Sequence, residues 1–437
     1  MTNTRSRPLF TVIIPTKDRA EYLYHTLRTC SNQDYENLEV IVSDDGSSDN
    51  TKAVVLEAAR KDPRIRYVTP GSSLGMRDNF EFALDRVKPG YVIALGGDDG
   101  ILPYGISGMW RTLQGTGKDL LTWRPLSFTY PSESPDKGLL AIFRHGKSKI
   151  LRSSEYLERQ AKNLNYLYDF ESPMFYIRGV VATRLIELVR SRTPDGRFFV
   201  CNVPDGFSAI ALAGEAGEYA VSATPFTIAG NSPASQGRAF MAEDKQARKL
   251  ADSFYRGAAH APMHRDLASQ PFSPLIALLT ADFLLTAKDL PGWPGRVPLI
   301  DYKSLLLKGL NELGNGLYAT DRINRELTIL DGIAQYHGIE DFFRAKVKQI
   351  RRHQARRPFA GNAITPRHVL LDCNMFEIHN IFDAAYVSWF VCQLLTRLNF
   401  AAIEGIITGP LKYKLQEMRK GQRFPPETEW VLRGSNT

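Results

Sequence analysis

The stretch YVIALGGDDGILP, residues Tyr91–Pro103, decides the fold of this chain. Its first part, Tyr91–Leu95, is a short apolar run rich in β-branched and aromatic residues and closed by two glycines, which predicts a buried strand. The strand delivers Asp98 and Asp99 into a loop, where neighbouring like charges repel each other unless a cation or hydrogen-bond donors compensate them. A divalent ion with oxygen ligands would be such a compensator. A surface turn is the alternative, because Gly, Asp and Pro are all turn formers.

The composition is typical of a globular protein of more than one domain. The 437 residues suffice for two or three domains, and 43% hydrophobic with 23% charged residues is ordinary. The four cysteines are scattered without a C-x-x-C pair, which predicts neither a disulfide framework nor a metal cluster and fits a reducing compartment. The formal charge of +8 suggests an anionic partner but does not choose among nucleotide, lipid surface and nucleic acid.

Targeting signals are not apparent in the sequence. The polar, basic start, Met1–Pro8, predicts no secretory signal. The longest apolar stretch, Ile381–Ile407, is interrupted by Asp383, Arg397 and Glu404, so we expect no membrane span. These features predict a cytoplasmic protein.

Strand and helix patterns alternate through the first hundred residues. Strands are predicted at Leu9–Pro15, Leu38–Val42, Ile65–Val68 and Tyr91–Leu95, with helical spacing between them. This alternation predicts βαβ units in an α/β doubly wound sheet, a Rossmann-like nucleotide-binding half whose ligand lies beyond the carboxyl ends of the strands. No G-x-G-x-x-G and no Walker lysine motif follow the first strand, which disfavours a dinucleotide fingerprint or a P-loop.

Four segments, in a fixed order, point to a family. They are VIIPT at Val12–Thr16, VIVSDDGSSD at Val40–Asp49, the Leu74-Gly75 pair, and LGGDD at Leu95–Asp99. Together they resemble the nucleotide-sugar domain of inverting family 2 glycosyltransferases of the GT-A fold. Gly96 stands where that family usually has the first acid of D-x-D-D.

The resemblance implies roles for individual residues. Asp44 would accept a hydrogen bond from a base N–H, such as uracil offers, and Asp98 with Asp99 would hold Mn²⁺ or Mg²⁺ across the diphosphate. The implied nucleotide-sugar-binding residues are Pro15, Thr16, Arg19, Asp44, Asp45, Gly75, Arg77, Asn79 and Asp98. Gly75 would let the backbone approach the nucleotide closely. For Asp44–Asp49 a helix-capping turn is the alternative, and both roles can hold together.

A candidate catalytic base follows the apolar run Phe198–Val203. Asp205 follows this run after Pro204 and precedes a predicted helix, Phe207–Ala213. The resemblance implies a catalytic carboxylate in this region, and inverting transfer needs one base to take the acceptor's proton. A helix N-cap is the alternative, and a helix N-terminus is expected to lower the pKa of Asp205. Glu215 and Glu218 are weaker candidates.

The resemblance divides the chain in two. Residues 8–240 would form the GT-A domain and residues 241–437 a mainly helical accessory domain. Within the first part, Ser127–Lys147 is rich in Pro, Ser and Gly, and we expect a mobile flap there. In the second part, the basic segments Arg344–Arg357 and Lys412–Arg423 are predicted either to dock on an anionic membrane or to form ordinary solvated helix faces.

The sequence therefore predicts an inverting transfer of a hexose or N-acetylhexosamine from a nucleotide-sugar, UDP-linked, to a glycan or glycolipid acceptor. The expected setting is bacterial surface polysaccharide synthesis, with peripheral attachment to the inner face of the membrane and no nucleic-acid partner. Two alternatives stay open. One is a non-catalytic glycan- or nucleotide-binding protein, suggested by Gly96. The other is a nucleotidyltransferase. Such an enzyme would carry a glycine-rich phosphate loop after the first strand, but the segment Thr16–Arg19 contains no glycine.

Overall fold

The structure is a computed structural model of the whole chain. It describes residues 7–131, 138–143, 147–233, 262–315, 318–349, 361–365 and 368–397.

The strands and helices are numbered separately in chain order. The strands are β1 Phe10–Thr16, β2 Leu38–Asp44, β3 Ile65–Val68, β4 Tyr91–Ala94, β5 Gly100–Ile101, β6 Leu120–Trp123, β7 Leu126–Thr129, β8 Leu139–Phe143, β9 Lys149–Arg152, β10 Gly179–Ala182, β11 Glu218–Ser222, β12 Thr227–Asn231, β13 Ala363–Ile364 and β14 His368–Asp372. The helices are α1 Ala20–Ser31, α2 Thr51–Lys61, α3 Met76–Leu84, α4 Gly105–Thr116, α5 Ser153–Asn163, α6 Thr183–Arg190, α7 Pro204–Ala216, α8 Ile276–Lys288, α9 Tyr302–Leu313, α10 Thr320–Tyr336, α11 Glu340–Val347 and α12 Ile381–Arg397.

The main sheet has eight strands in the order β3-β2-β1-β4-β10-β6-β11-β9. Strand β1 is parallel to both β2 and β4, with Thr16 opposite Asp44 at the end of the β1–β2 pair. Strand β10 is antiparallel to both β4 and β6, so β4 and β6 run in the same direction. The carboxyl ends of β1, β2, β4, β6 and β11 therefore lie along one side of the sheet, called here the C-terminal edge. The predicted α/β doubly wound sheet is confirmed.

A second, six-stranded sheet was not predicted. Its order is β13-β14-β8-β7-β12-β5, and it contains two strands from the segment 127–147 for which we expected a mobile flap. That expectation was wrong for the described residues, because Leu140 and Ile142 of β8 are fully buried and β8 pairs with β14 over its whole length. Sequence pattern alone misses this pairing, since the partner strand begins more than two hundred residues later.

The C-terminal half of the chain contributes to the cores of the first half. One hydrophobic cluster extends from Ile13 of β1 to Phe343 of α11, and a second joins the small sheet to α12. Helices α8 to α12 agree with the predicted helical character of this half, but β13 and β14 complete a sheet that begins before residue 240. The predicted boundary at residue 240 thus does not coincide with a boundary between hydrophobic cores.

Candidate active site

The loops that follow β1, β2 and β4 meet at the C-terminal edge. The N–H of Asp45 donates to the carbonyl of Thr16 (2.9 Å), which joins the loop after β2 to the end of β1. The hydroxyl of Thr26 on α1 lies 2.9 Å from the carbonyl of Gly97 and 2.7 Å from that of Asp99. These bonds hold the loop after β4 against α1, so the predicted site residues on the three loops lie at one place.

Asp44 is buried at the end of β2 with both carboxylate oxygens in hydrogen bonds. Oδ2 accepts from the Tyr67 hydroxyl (2.8 Å) and Oδ1 from the Ser47 N–H (2.9 Å). Burial and the bond to Asp44 raise the pKa of Tyr67 to about 12. Each carboxylate oxygen offers two lone pairs, so Asp44 retains capacity for a further donor such as a base N–H.

Asp45 holds the loop that precedes α3. Its Oδ2 accepts from the Ser73 hydroxyl (2.8 Å) and from the Gly75 N–H (3.1 Å), while Oδ1 accepts from the Leu74 N–H (2.6 Å). Gly75 has φ +84°, and a Cβ there would meet no atom within 4 Å. The structure thus requires glycine at this position for its left-handed backbone, while the space beside it is open. Asp45 and Gly75 together fix one wall of the predicted nucleotide pocket.

Two other predicted nucleotide residues bond to protein groups. The side chain of Asn79 is buried and bonds both ways to Ser43, donating to its carbonyl (3.0 Å) and accepting from its hydroxyl (2.6 Å). Arg77 pairs with Asp78 (2.8 Å), which is also held by Arg197 (2.6 Å). The geometry assigns Asn79 to supporting the end of β2, while Arg77 lies partly exposed at the start of α3.

Asp98 lies in the loop after β4, and its carboxylate contacts one cationic side chain and one hydroxyl group. Its Oδ1 forms an ion pair with Arg19 (3.0 Å) and its Oδ2 accepts from Ser232 (2.6 Å). The Tyr130 hydroxyl donates to the Asp98 carbonyl (3.0 Å), and a Cβ on Gly230 would stand 1.9 Å from that carbonyl oxygen. Tyr130 follows β7, Gly230 belongs to β12 and Ser232 follows β12, so the second sheet also supports the Asp98 loop.

Asp99 is buried, and both of its carboxylate oxygens accept from backbone N–H groups. Its Oδ2 accepts from the Gly96 N–H (2.7 Å) and its Oδ1 from the Gly230 N–H (2.9 Å). Burial first, and the charge of Asp98 second, raise the pKa of Asp99 to about 7. The raised pKa favours the protonated form of Asp99, which is a poorer metal ligand than a carboxylate, and the predicted role of Asp99 as a metal ligand stays a prediction.

Gly96 has no room for the acid that the family usually carries there. A Cβ at Gly96 would lie 2.7 Å from Tyr176 Oη, 2.8 Å from Asp99 Oδ2 and 3.1 Å from Asp98 Oδ1. The absence of the first D-x-D acid is therefore built into the packing around Tyr176.

The donor set fits a divalent ion held by a single carboxylate. Among the described residues no three His, Cys, Asp or Glu side chains are grouped as a metal site. Asp98 is the suitable ligand, and Mg²⁺ or Mn²⁺ in nucleotide sites commonly takes one or two carboxylates plus phosphate oxygens and water. Arg19 already neutralises part of the Asp98 charge, so the pair presents both an anionic ligand and a guanidinium to an incoming diphosphate.

Asp205 reaches the same edge on α7. Helix α7 leads into β11, which is parallel to β6, so the first turn of α7 lies at the C-terminal edge. The Ser208 hydroxyl of this turn accepts from the Phe175 N–H (3.1 Å), and the Phe175 carbonyl accepts from the Ala94 N–H at the end of β4 (3.3 Å). This short chain of bonds joins the helix that carries Asp205 to the strand that delivers Asp98.

Asp205 is not a helix cap. Val203 is the N-cap residue of α7, and Asp205 lies inside the first turn, with its Oδ1 accepting from the Gly206 N–H (2.8 Å). Burial raises the pKa of Asp205, opposed by the Gly206 N–H and by the positive charge of Arg178. The expected lowering by the helix N-terminus was wrong in direction, because desolvation of the carboxylate outweighs the favourable bonds.

The two weaker candidates for the base are ion-paired away from this edge. Glu215, near the end of α7, bonds through both oxygens to Arg192. Glu218 begins β11 and pairs with Lys118 (2.7 Å). Both lie at the opposite edge of the sheet, which leaves Asp205 as the carboxylate of the three that lies at the C-terminal edge.

Comparisons with known proteins find a matching family and several relatives that share part of the sequence. Residues 11–183 match the sequence profile of Glycosyl transferase family 2. The GalNAc(5)-diNAcBac-PP-undecaprenol beta-1,3-glucosyltransferase of Campylobacter jejuni is 38% identical over 101 residues, which are 23% of this chain and 33% of that protein. The Validoxylamine A glucosyltransferase of Streptomyces hygroscopicus is 48% identical over 63 residues, 14% of this chain and 15% of that protein.

Among solved structures, S. aureus TarS 1-349 in complex with UDP-GlcNAc aligns with a TM-score of 0.45 and 14% identity, over 82% of this chain and 95% of that chain. The chain spans a third or less of the two curated relatives named above. The profile match and the order of the strands give the family: residues 11–183 form a glycosyl transferase family 2 domain of GT-A-like fold.

Proposed function

We propose that the protein is an inverting glycosyltransferase that moves a sugar from a nucleotide-sugar, UDP-linked, to a glycan or lipid-linked acceptor. The observation that carries the proposal is the placement of Asp44, Asp98 and Asp205 at one edge of the main sheet. Asp44 retains lone pairs for a base N–H, Asp98 is poised with Arg19, and Asp205 lies on the first turn of α7. Binding, charge compensation and proton acceptance are the three tasks of this reaction.

In the proposed reaction, the acceptor oxygen forms a bond to the anomeric carbon as the bond from that carbon to the diphosphate oxygen breaks. The diphosphate leaves with the bonding electron pair, and the acceptor proton passes to a carboxylate oxygen of Asp205. The Arg19 guanidinium, 3.0 Å from Asp98, stabilises negative charge that develops on the leaving diphosphate. A divalent ion, when bound at Asp98, would supply further charge stabilisation at the same oxygens.

The pKa of Asp205 suits this task. A carboxyl whose pKa is raised holds a proton more tightly, so it is a stronger base than an exposed aspartate once it is ionised. Asp205 is protonated and cannot accept a proton below its raised pKa, and it is ionised and active above that pKa. We therefore expect turnover to rise with pH and to level off above the ordinary range for carboxyl groups.

The proposal extends to a membrane contact through the two basic segments. Most of Arg344–Arg357 and all of Lys412–Arg423 lie outside the described residues. No helix in the described part of the chain combines the length and the apolarity needed to cross a bilayer. If the acceptor is lipid-linked, the basic segments would bring the chain to an anionic surface.

A panel of nucleotide-sugars tests the donor half of the proposal. A bound ligand raises the melting temperature by mass action, so UDP-linked sugars should stabilise the wild-type chain in the presence of Mn²⁺. Asp98→Asn should weaken this stabilisation, while Glu218→Gln, a surface carboxylate at the opposite edge, should leave it unchanged. If no nucleotide-sugar stabilises the chain, the proposed function is wrong. Binding without any transfer or hydrolysis would favour a non-catalytic binding protein.

A further inference from the structure

A guanidinium is held between two aromatic rings at the end of β6. The Cζ atom of Arg124, the residue after β6, lies 3.7 Å from the ring centroid of Phe143 and 3.8 Å from that of Phe170. Stacking on both faces fixes the plane of the guanidinium and leaves its edge as the direction in which N–H groups can donate.

The positive charge of Arg124 has no carboxylate partner among the described residues. Its Nε is buried without a hydrogen-bond partner. The nearby acids are already used: Asp169 bonds to Arg159 (2.7 Å), and Glu171 pairs with Lys149 (2.6 Å) and with Arg159 (3.0 Å). Among the described residues, these neighbouring charges are thus balanced in pairs, and the charge of Arg124 is left without a counter-ion.

The aromatic clamp is built on a rigid loop. Asp169 accepts from the N–H of Glu171 (3.0 Å) as well as from Arg159, and the Glu171 carbonyl accepts from the Tyr219 hydroxyl (2.9 Å). The Ser172 carbonyl, one residue further, accepts from the Thr122 hydroxyl of β6 (3.0 Å). Phe170 lies between these anchored residues, yet 42% of its surface is exposed. The ring is therefore held in place with one side open to solvent.

Arg124 shares the sheet face and the edge of Asp205. Side chains alternate along β6, so that Leu120 belongs to the hydrophobic cluster that contains α7, while Trp123 belongs to the cluster on the opposite face. By the same alternation, Arg124 falls on the face of Leu120. Since β6 ends at the C-terminal edge, Arg124 and the first turn of α7 lie at the same corner of the sheet.

We propose that Arg124 is an acceptor-side anchor that binds an oxyanion, phosphate or carboxylate, on the sugar acceptor. The inference rests on the proposed glycosyl transfer and names the class of its acceptor. A flat guanidinium whose edge carries parallel N–H donors matches the two oxygens of such a group in a bidentate pair. The exposed Phe170 ring beside it offers an apolar surface to the neighbouring sugar or alkyl chain.

The anion has two chemical sources that a binding experiment separates. Butyl phosphate represents the phosphate of a lipid-linked or phosphodiester acceptor, methyl β-glucuronide represents an acidic sugar, and methyl β-glucoside is the neutral control. Affinities are measured by ligand-observed NMR on the full chain as wild type, Arg124→Gln and Phe170→Ala. Arg86→Gln is the matched control, because Arg86 also stacks on a phenylalanine, Phe82 (3.3 Å), but precedes β4 at the opposite edge.

We expect one anionic probe to bind the wild type more tightly than the neutral glucoside does. Arg124→Gln should weaken that binding by about tenfold or more, as loss of charge-assisted hydrogen bonds does, and Arg86→Gln should not change it. Phe170→Ala should weaken binding of the anionic probe several-fold, because the guanidinium loses the ring that fixes its plane. Since Phe170 is partly exposed, this variant tests the inference even if Arg124→Gln does not fold. The probe that binds identifies the source of the anion.

Two results would overturn the inference. The first is that neither anionic probe binds better than the glucoside, and the second is that Arg124→Gln and Phe170→Ala bind as the wild type does. The experiment needs neither donor nor transfer, so a failure of the proposed glycosyl transfer, seen with the nucleotide-sugar panel, is distinguishable from a failure of the Arg124 anchor.

Discussion

Replacing Gly96 by alanine tests whether packing explains the missing acid of the D-x-D segment. The new methyl carbon would lie 2.7 Å from Tyr176 Oη and 2.8 Å from Asp99 Oδ2. Neither neighbour can withdraw easily, because the Tyr176 ring packs edge-on against Phe80 and Asp99 is held by two backbone N–H groups. The substitution must therefore displace one of them.

The expected cost follows from overpacking of a close-packed site. Inserting one methylene-sized group into such a site costs about 1–3 kcal/mol of unfolding free energy. Gly96→Asp should cost more than Gly96→Ala, since it adds a third carboxylate beside Asp98 and Asp99 in a buried loop. It should also fail to increase the affinity for Mn²⁺, because its carboxylate cannot take the position of the family's first acid.

The assay compares thermal midpoints of the wild type, Gly96→Ala and the control Gly115→Ala. Gly115 lies within α4 with no atom within 4 Å of its added Cβ, so alanine there should be neutral or stabilising by about 0.5–1 kcal/mol. Adding Tyr176→Phe to Gly96→Ala removes the hydroxyl that the methyl meets, and the pair should be less destabilised than the sum of the single changes. A Gly96→Ala chain as stable as the wild type would refute the packing argument.

Three further predictions concern other parts of the chain. Asp45→Ala should lower the free energy of unfolding by about 1–3 kcal/mol and weaken nucleotide-sugar binding, because the Leu74 and Gly75 N–H groups lose their acceptor. Unchanged nucleotide-sugar binding would mean that Asp45 does not form a wall of the pocket. Burial raises the pKa of Asp282 to about 6, so the native state holds the proton more tightly than the unfolded chain does, and the free energy of unfolding should decrease by up to about 3 kcal/mol as the pH rises from about 4 to about 6. Asp282→Asn should flatten this slope in a pH series of thermal midpoints, and a slope that persists in the variant would contradict the assignment. The full chain should bind anionic liposomes at low salt and release them as salt rises, and indifference to such liposomes would remove the proposed membrane contact.

The strands of the nucleotide-binding half could be predicted because their signal is local. Runs such as Phe10–Thr16 and Leu38–Asp44 are buried on both faces, which makes them nearly continuous apolar sequences. The polar residues that follow them necessarily meet at one edge, so the positions of Asp44 and Asp98 could also be predicted. The bounds of Ile65–Val68 also agree with the structure, although only Ile65 of this edge strand is buried.

The features that could not be predicted depend on contacts between distant segments. The bond between Asp99 and the Gly230 N–H could not be predicted, because Gly230 lies 131 residues further along the chain. The pKa of Asp205 is raised by burial among distant segments, which outweighs the lowering by the Gly206 N–H and by the charge of Arg178. Arg124 gave no signal at all, since its two aromatic neighbours come from β8 and from the loop before β10.

The central claim is that Asp205 takes the acceptor's proton, and turnover measured together with donor affinity tests it most directly. Asp205→Asn keeps the shape and an oxygen for the Gly206 N–H but cannot accept a proton. With the nucleotide-sugar identified by the panel, its donor dissociation constant should match that of the wild type and of Glu218→Gln, while its turnover should fall by about a hundredfold or more. Turnover of Asp205→Asn close to that of Glu218→Gln, at equal donor affinity, would contradict the account.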